Sequence, residues 1–253
     1  MESIVSKEVY FKNNKGQRIH GIFEEPNPKR DEIVIIVHGF ASYAKHYLSD
    51  LLAGINLNSL RIDLDNQGKS EPDFQEEASI TNYKNTLEAA IDFAKDRGYK
   101  KISFLGISFG ANVVLATALN HPEVKRIALM SPCVDYPNIK VISFSQEELQ
   151  RYKKEDYYPF IDPGGNKFKI NFACYEDSKK YVMFGKAASI KCPVLIIHGT
   201  EDERVNFGAS EKIIKEFPNG KLIPIKGANH HLAISGDFSA GKEALKEWFL
   251  EGK

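Results

Sequence analysis

Lys101-Ile102-Ser103-Phe104-Leu105-Gly106-Ile107-Ser108-Phe109-Gly110-Ala111-Asn112-Val113-Val114-Leu115 is the stretch that decides the fold. Lys101–Leu105 is a short, turn-bounded run that predicts a strand. Ala111–Leu119 is apolar almost all round, as a helix buried against a sheet should be. Between them lies a G-x-S-x-G pattern, Gly106-Ile107-Ser108-Phe109-Gly110. The pattern alone is weak, with about 0.08 occurrences expected by chance at this composition. A strand before it and a helix after it turn it into a sharp strand-to-helix corner. Such a corner holds the serine in strained backbone geometry and requires small neighbours. It lifts the Ser108 hydroxyl clear of the sheet, beside the first amides and the positive dipole end of the helix.

Working outward, similar strand-like runs recur at Ile33–Val37, Ser59–Asp63, Arg126–Met130, Pro193–His198 and Lys221–Ile225. Ser6–Phe11 and Gln17–Glu24 flank the turn-rich Asn13-Asn14-Lys15-Gly16 and read as an antiparallel hairpin. Helix-period segments fall between the runs: Tyr83–Asp96 with Gly98 just past its end, Ala209–Phe217 and Ala240–Leu250. This alternation predicts an α/β fold with a mostly parallel central sheet and helices on both faces.

One stretch breaks the rhythm. Residues 133–190 show no clean β/α unit yet hold eleven of the chain's 28 aromatic residues. So aromatic an insertion argues against disorder and predicts a cap or lid. The expected organisation is a core of residues 1–132 and 191–253 carrying the cap at 133–190, one domain overall.

Composition narrows the function classes. The 253 residues carry 34 Lys+Arg against 34 Asp+Glu, so the formal net charge is zero. That balance lacks the basic footprint of a general nucleic-acid binder or a polybasic membrane protein. No apolar run approaches the roughly 18 residues of a membrane span, and no signal-peptide layout opens the chain. Cys133, Cys174 and Cys192 are scattered without C-x-x-C spacing, which argues against a disulfide framework or a structural zinc site. A cytoplasmic location is the expectation.

A serine hydroxyl is a poor nucleophile unless a base takes its proton. His230 and His231 both follow the last strand run, at the strand end where open parallel sheets place their ligands. The base in turn needs an acid to fix its tautomer. Glu201, Asp202 and Glu203 follow the strand Pro193–His198, and Asp202 is the preferred partner. The order Ser…Asp…His is that of a nucleophile elbow with its triad. Backbone N–H donors for an oxyanion are expected from Phe109, just after the serine, and from Phe40 in Val37-His38-Gly39-Phe40. His38 itself reads as a structural histidine bonding its loop. Tyr152, Tyr157, Tyr158 and Tyr175 read as cap packing before ligand anchors.

The hairpin, the His38-Gly39-Phe40 loop, Arg61–Ser70, the Ser108 corner, His198–Val205 and Gly227–His231 together resemble an α/β-hydrolase-fold serine hydrolase. The likeness is nearest to bacterial cinnamoyl/feruloyl esterases and to serine aminopeptidase-like (S33) hydrolases. It implies a triad of Ser108, Asp202 and His230, favouring His230 over His231. It also implies oxyanion amides at Phe40 and Phe109, and a small cap between the sixth and seventh sheet strands. The sequence departs from the family where D-x-R-G-H-G-x-S becomes Asp63-Leu64-Asp65-Asn66-Gln67-Gly68-Lys69-Ser70, losing an Arg and a His, and where Ile107 and Ala111 replace the usual His and Gly.

The implied activity is hydrolysis of small to medium acyl or aryl esters through an acyl-enzyme. The same machinery would also suit a thioesterase, an acyltransferase or an aminopeptidase. A non-catalytic binding protein on the same scaffold is the reading from another class. Neither cofactor nor metal is required by this chemistry. The expected partner is a small-molecule ester, with no nucleic acid, no stable membrane insertion and a homodimer left open. The insertion carries nine Lys/Arg against eight Asp/Glu, so it offers no basic rim for an acyl carrier.

Overall fold

A computed structural model describes residues 6–44, 55–72, 78–138, 144–161 and 167–251. Lys140, counted above among the insertion's cations, lies outside the described residues. Strands β1 (Ser6–Lys12) and β2 (Arg18–Glu24) form the expected antiparallel hairpin. Its turn closes because Oδ1 of Asn13 accepts the amides of Lys15 and Gln17, each at 3.0 Å.

The chain continues through β3 (Glu32–Val37), β4 (Ser59–Ile62), α1 (Ile80–Asp96), β5 (Lys101–Ile107), α2 (Phe109–Ala118) and β6 (Ile127–Met130). Then come α3 (Gln146–Glu155), β7 (Tyr157–Ile161), β8 (Lys167–Asn171) and α4 (Phe172–Ser178). The core resumes with β9 (Val194–Gly199), α5 (Phe207–Ile213), β10 (Gly220–Ile225) and α6 (Ser239–Lys246). Eight strands make one sheet in the order β1-β2-β4-β3-β5-β6-β9-β10. From β4 to β10 every pairing is parallel; β1 and β2 are antiparallel. β7 and β8 form a separate two-stranded antiparallel sheet within the insertion.

The sheet is covered on both faces, which is why β3 is apolar at every position from Ile33 to Val37 rather than at alternate ones. In β3, Ile33, Ile35 and Val37 join the core shared with α1 and α2, while Val34 and Ile36 join the one closed by Ala244, Leu245 and Trp248. All ten residues of α2 are buried.

Element ends follow local chemistry. Helix α1 starts three residues before the expected Tyr83 because the Ser79 hydroxyl accepts the Asn82 amide at 3.1 Å and caps it. It ends in a Schellman motif: Gly98, at φ +87°, donates to the Lys95 carbonyl at 2.9 Å and Tyr99 donates to that of Ala94 at 3.2 Å. Helix α5 stops at Ile213 rather than running to Phe217, and a turn over residues 214–216 carries the chain to Pro218. No helix among the described residues is long and apolar enough to cross a membrane.

Candidate active site

Ser108 joins β5 to α2 at φ +50° and ψ −116°, a conformation that L-residues seldom adopt and that the surroundings must enforce. They do so through the backbone. Its amide donates to the Met130 carbonyl at 2.9 Å, and its carbonyl accepts from Cys133 at 3.0 Å and Ala111 at 3.1 Å. The small residue at 110 is needed because a Cβ there would stand 2.4 Å from the carbonyl oxygens of both Val37 and His38. Helix α2 thus rests directly on the end of β3.

Oγ of Ser108 lies 3.0 Å from Nε2 of His230, and Nδ1 of His230 lies 2.8 Å from Oδ2 of Asp202. The three residues are brought together from the ends of β5, β9 and β10. His231, the rival base, is partly exposed, and its ring centre lies 5.6 Å from that of His230. Glu201 and Glu203 are exposed. Glu203 accepts the backbone amide of His230 at 3.2 Å instead of touching its ring.

Asp202 is fully buried at its side chain. Its Oδ1 accepts the amides of Arg204 and Val205, both at 2.8 Å, and its Oδ2 accepts from His198 as well as His230. Burial alone would push this carboxyl up. The hydrogen bonds from the two histidines and from the Val205 amide outweigh burial and hold it well below the ordinary carboxylate range. Nδ1 of His230 is thereby directed at an ionised carboxylate.

The His230 loop is itself pinned. The Ser131 hydroxyl donates to the His230 carbonyl at 2.8 Å, from a buried residue at φ +44° just past β6. Asn229 Oδ1 accepts the amides of His231 at 3.0 Å and Ala233 at 3.1 Å. Neither Ser131 nor His198 was singled out from the sequence. A histidine four residues before the candidate acid, at a strand end, was the available signal for His198.

The His38-Gly39-Phe40 loop runs beside the serine: a Cβ on Gly39 would be 3.5 Å from Cβ of Ser108. His38 holds that loop, with Nε2 accepting the Leu64 amide at 3.1 Å and Nδ1 donating to the Gly39 carbonyl at 2.7 Å. Phe109 supplies the first amide of α2, one of those that a helix leaves without an intrahelical acceptor. The rings of Phe40 and Phe109 meet edge to face at 5.2 Å, and Tyr136 adds a third ring 4.9 Å from Phe109.

The loop where the family's Arg and His are missing is held by other groups. Asp63 accepts from His20 Nδ1 at 2.7 Å and from the amides of Lys69 and Ala44. Burial raises the Asp63 carboxyl less than these partners lower it, so it too stays below its usual range. Ser70 donates to the Asp63 carbonyl at 2.8 Å and accepts the His20 amide at 2.9 Å.

Within the insertion, Tyr152 donates its hydroxyl to the Asn171 carbonyl at 2.7 Å and packs among Phe144, Tyr158, Phe172 and Tyr175. Tyr157 is 39% exposed.

Comparison with known proteins agrees with the fold. The fold matches that of esterase Est1E from Butyrivibrio proteoclasticus, solved with ferulic acid bound, with a TM-score of 0.81 at 23% identity over 96% of this chain and 98% of that one. An esterase/lipase of Haemophilus influenzae is 24% identical over 84% of this chain and 75% of its own length. Ethanol acetyltransferase 1 of Wickerhamomyces anomalus is 29% identical over 46% of this chain. The chain spans less than a third of the length of the curated acetyltransferases that it matches first, 31% and 29% of two of them. The model of the serine aminopeptidase S33 family matches residues 28–169, more than half of the sequence. With the elbow, the parallel sheet and that match in hand, the chain belongs to the serine aminopeptidase S33 family of α/β-fold hydrolases.

Proposed function

We propose that the chain hydrolyses small to medium acyl or aryl esters through an acyl-enzyme on Ser108. In this reading Nε2 of His230 takes the hydroxyl proton as Oγ of Ser108 attacks the ester carbonyl. Asp202 keeps Nδ1 protonated and stabilises the imidazolium that forms. The carbonyl oxygen becomes an oxyanion facing the amides of Phe40 and Phe109. When the tetrahedral intermediate collapses, the ester C–O bond breaks and the alcohol leaves with the proton from His230. Water then gives a proton to His230 and adds to the acyl carbon. Oγ of Ser108 departs with that proton, releasing the acid.

The observation that carries the reading is the 3.0 Å contact between Ser108 and His230, backed 2.8 Å further on by a buried Asp202. Phe40, half-buried in the loop beside the serine and backed by the buried rings of Phe109 and Tyr136, suits an apolar acyl or aryl group. A second reading rests on the likeness to ethanol acetyltransferase: an alcohol, not water, would accept the acyl group from Ser108.

One preparation tests both. Methyl ferulate, p-nitrophenyl butyrate, butyryl-CoA and an aminoacyl anilide are offered with and without ethanol, and a fluorophosphonate probe is applied in parallel. Ester turnover with covalent labelling at Ser108 is expected. Ethyl ester as the main product with ethanol present would favour the transferase. Faster anilide cleavage would favour the aminopeptidase. Folded protein that neither labels nor turns over would sink the catalytic reading altogether.

A further inference from the structure

We propose that His198 is a positioning residue that shares the Asp202 carboxylate with His230 and fixes both its orientation and its strength as a partner for that imidazole. The inference rests on reading Ser108, His230 and Asp202 as the catalytic set. Nε2 of His198 lies 2.9 Å from Oδ2 of Asp202, the same oxygen that Nδ1 of His230 approaches at 2.8 Å. On its other side Nδ1 of His198 lies 2.7 Å from Oγ of Ser210. His198 and Ser210 are both 0% exposed.

Hydrogen-bond partners place the protons. A carboxylate oxygen can only accept, so Nε2 of His198 carries a hydrogen. Neutral imidazole then has a lone pair on Nδ1, and the Ser210 hydroxyl donates to it. Two serine–histidine arms therefore converge on one carboxylate oxygen: Ser108 to His230, and Ser210 to His198. Only the first is open to solvent at its serine; the second is sealed by α5, whose buried residues are Ser210 and Ile213.

The sealed arm has a consequence for the open one. With Oδ1 held by two backbone amides and Oδ2 by His198, the carboxylate is oriented before His230 becomes charged, which is what electrostatic preorganisation requires. The donor from His198 also draws negative charge from Oδ2, so that the carboxylate stabilises the His230 imidazolium less than it otherwise would. Removing that donor should both loosen the carboxylate and strengthen its hold on a protonated His230. The other groups facing this cluster do not replace the donor. Glu203 lies on the His230 backbone amide and pairs with Arg204 at 3.5 Å; His231 lies ring to ring with His230; Phe207 packs on His198 at 5.5 Å.

The test compares His198→Leu, which removes the N–H donor, with His198→Gln, which keeps one at the same reach. Hydrolysis of p-nitrophenyl butyrate is followed against pH, and the His230 ring titration is followed by NMR in the same proteins. For His198→Leu, kcat should fall about tenfold, the loss expected of one charge-assisted hydrogen bond. The midpoint of the pH–rate profile should rise by roughly half a pH unit. His198→Gln should return the midpoint to that of the wild type. A role confined to packing would lower the melting temperature and leave the midpoint in place, and that result overturns the proposal. Should His198→Leu fail to fold, Ser210→Ala serves instead, because weakening the donor to Nδ1 weakens the donation from Nε2. A smaller rise in the same direction is then expected, and an unmoved midpoint overturns the proposal. If the wild type proves inactive, the NMR midpoint of His230 still reports on the shared carboxylate, separating failure of this inference from failure of the catalytic reading.

Discussion

Oδ2 of Asp202 lies 2.8 Å from Nδ1 of His230, with the carboxylate fully buried and the imidazole 7% exposed. An ionised carboxyl in such a place is held there by its donors against the pull of desolvation. A carboxyl lowered in the folded chain contributes stability at every pH above its unfolded value of about 3.9 and loses it as the pH falls through its folded value. The urea midpoint of the wild type should therefore drop steeply below about pH 4. Asp202→Asn, measured at the same pH values, should show a shallower acid slope from a lower plateau. Parallel slopes would mean that Asp202 is not held low by its partners.

The choice between the two adjacent histidines has a kinetic signature. His230→Ala should reduce kcat on p-nitrophenyl butyrate by about a thousandfold or more, leaving the residual rate that oxyanion donors and binding support. His231→Ala should stay within about threefold of the wild type, since it is Nε2 of His230 that lies 3.0 Å from Oγ of Ser108. The reverse pattern would transfer the base to His231.

What was legible in the sequence is what local pattern encodes. The run Ile33–Val37 and the corner around Ser108 carry their own signals, because a doubly covered strand is apolar throughout and a strand-to-helix corner needs glycines. Other features leave weaker traces. Helix α3 is polar, but Ser145 and Glu148 cap each other reciprocally, and that pair was visible in the residues. β7 contains Pro159, which argues against a central strand yet is tolerated in a two-stranded sheet, where each strand has an open edge. Ser131 lies beyond this kind of reading. Ser131 meets His230 across 99 residues of sequence, and the pairing of β6 with β9 and of β9 with β10 brings it there.

Asp63 offers a test of the loop that departs from its family. The charged oxygens accept from His20, Lys69 and Ala44 in a site 1% exposed. Asp63→Asn turns one acceptor into a donor facing donors, a loss of about 2–4 kcal/mol by analogy with other broken buried pairs. Chemical denaturation at pH 7 measures it. His20→Ala should cost a similar amount, and the double variant less than the sum, because the two lose the same contact. Strict additivity would show that the bond contributes nothing.

Two glycines separate steric from conformational cost. Gly98 stands at φ +87° with no atom within 4 Å of an added Cβ, so Gly98→Ala meets only backbone strain, about 1–2 kcal/mol. Gly98 precedes β5, at the opposite end of that strand from Ser108, so ester turnover should be unchanged. At Gly110 the conformation is ordinarily helical but the space is absent, with two carbonyl oxygens 2.4 Å from the Cβ position. The Val37 oxygen cannot yield, since β3 is hydrogen-bonded to a strand on each side. Gly110→Ala must instead push α2 away from β3, separating the Phe109 amide from the Phe40 loop and turning Ser108 from His230. The expected loss is about 3 kcal/mol or more of stability, as for severe overpacking. What protein still folds should lose at least about tenfold in kcat, because displacements near 1 Å at reacting groups carry penalties of that order or larger. Thermal melts and steady-state rates on the two variants separate the effects. Equal stability losses, or full activity in Gly110→Ala, would show that the contact between α2 and β3 does not set the geometry of the corner.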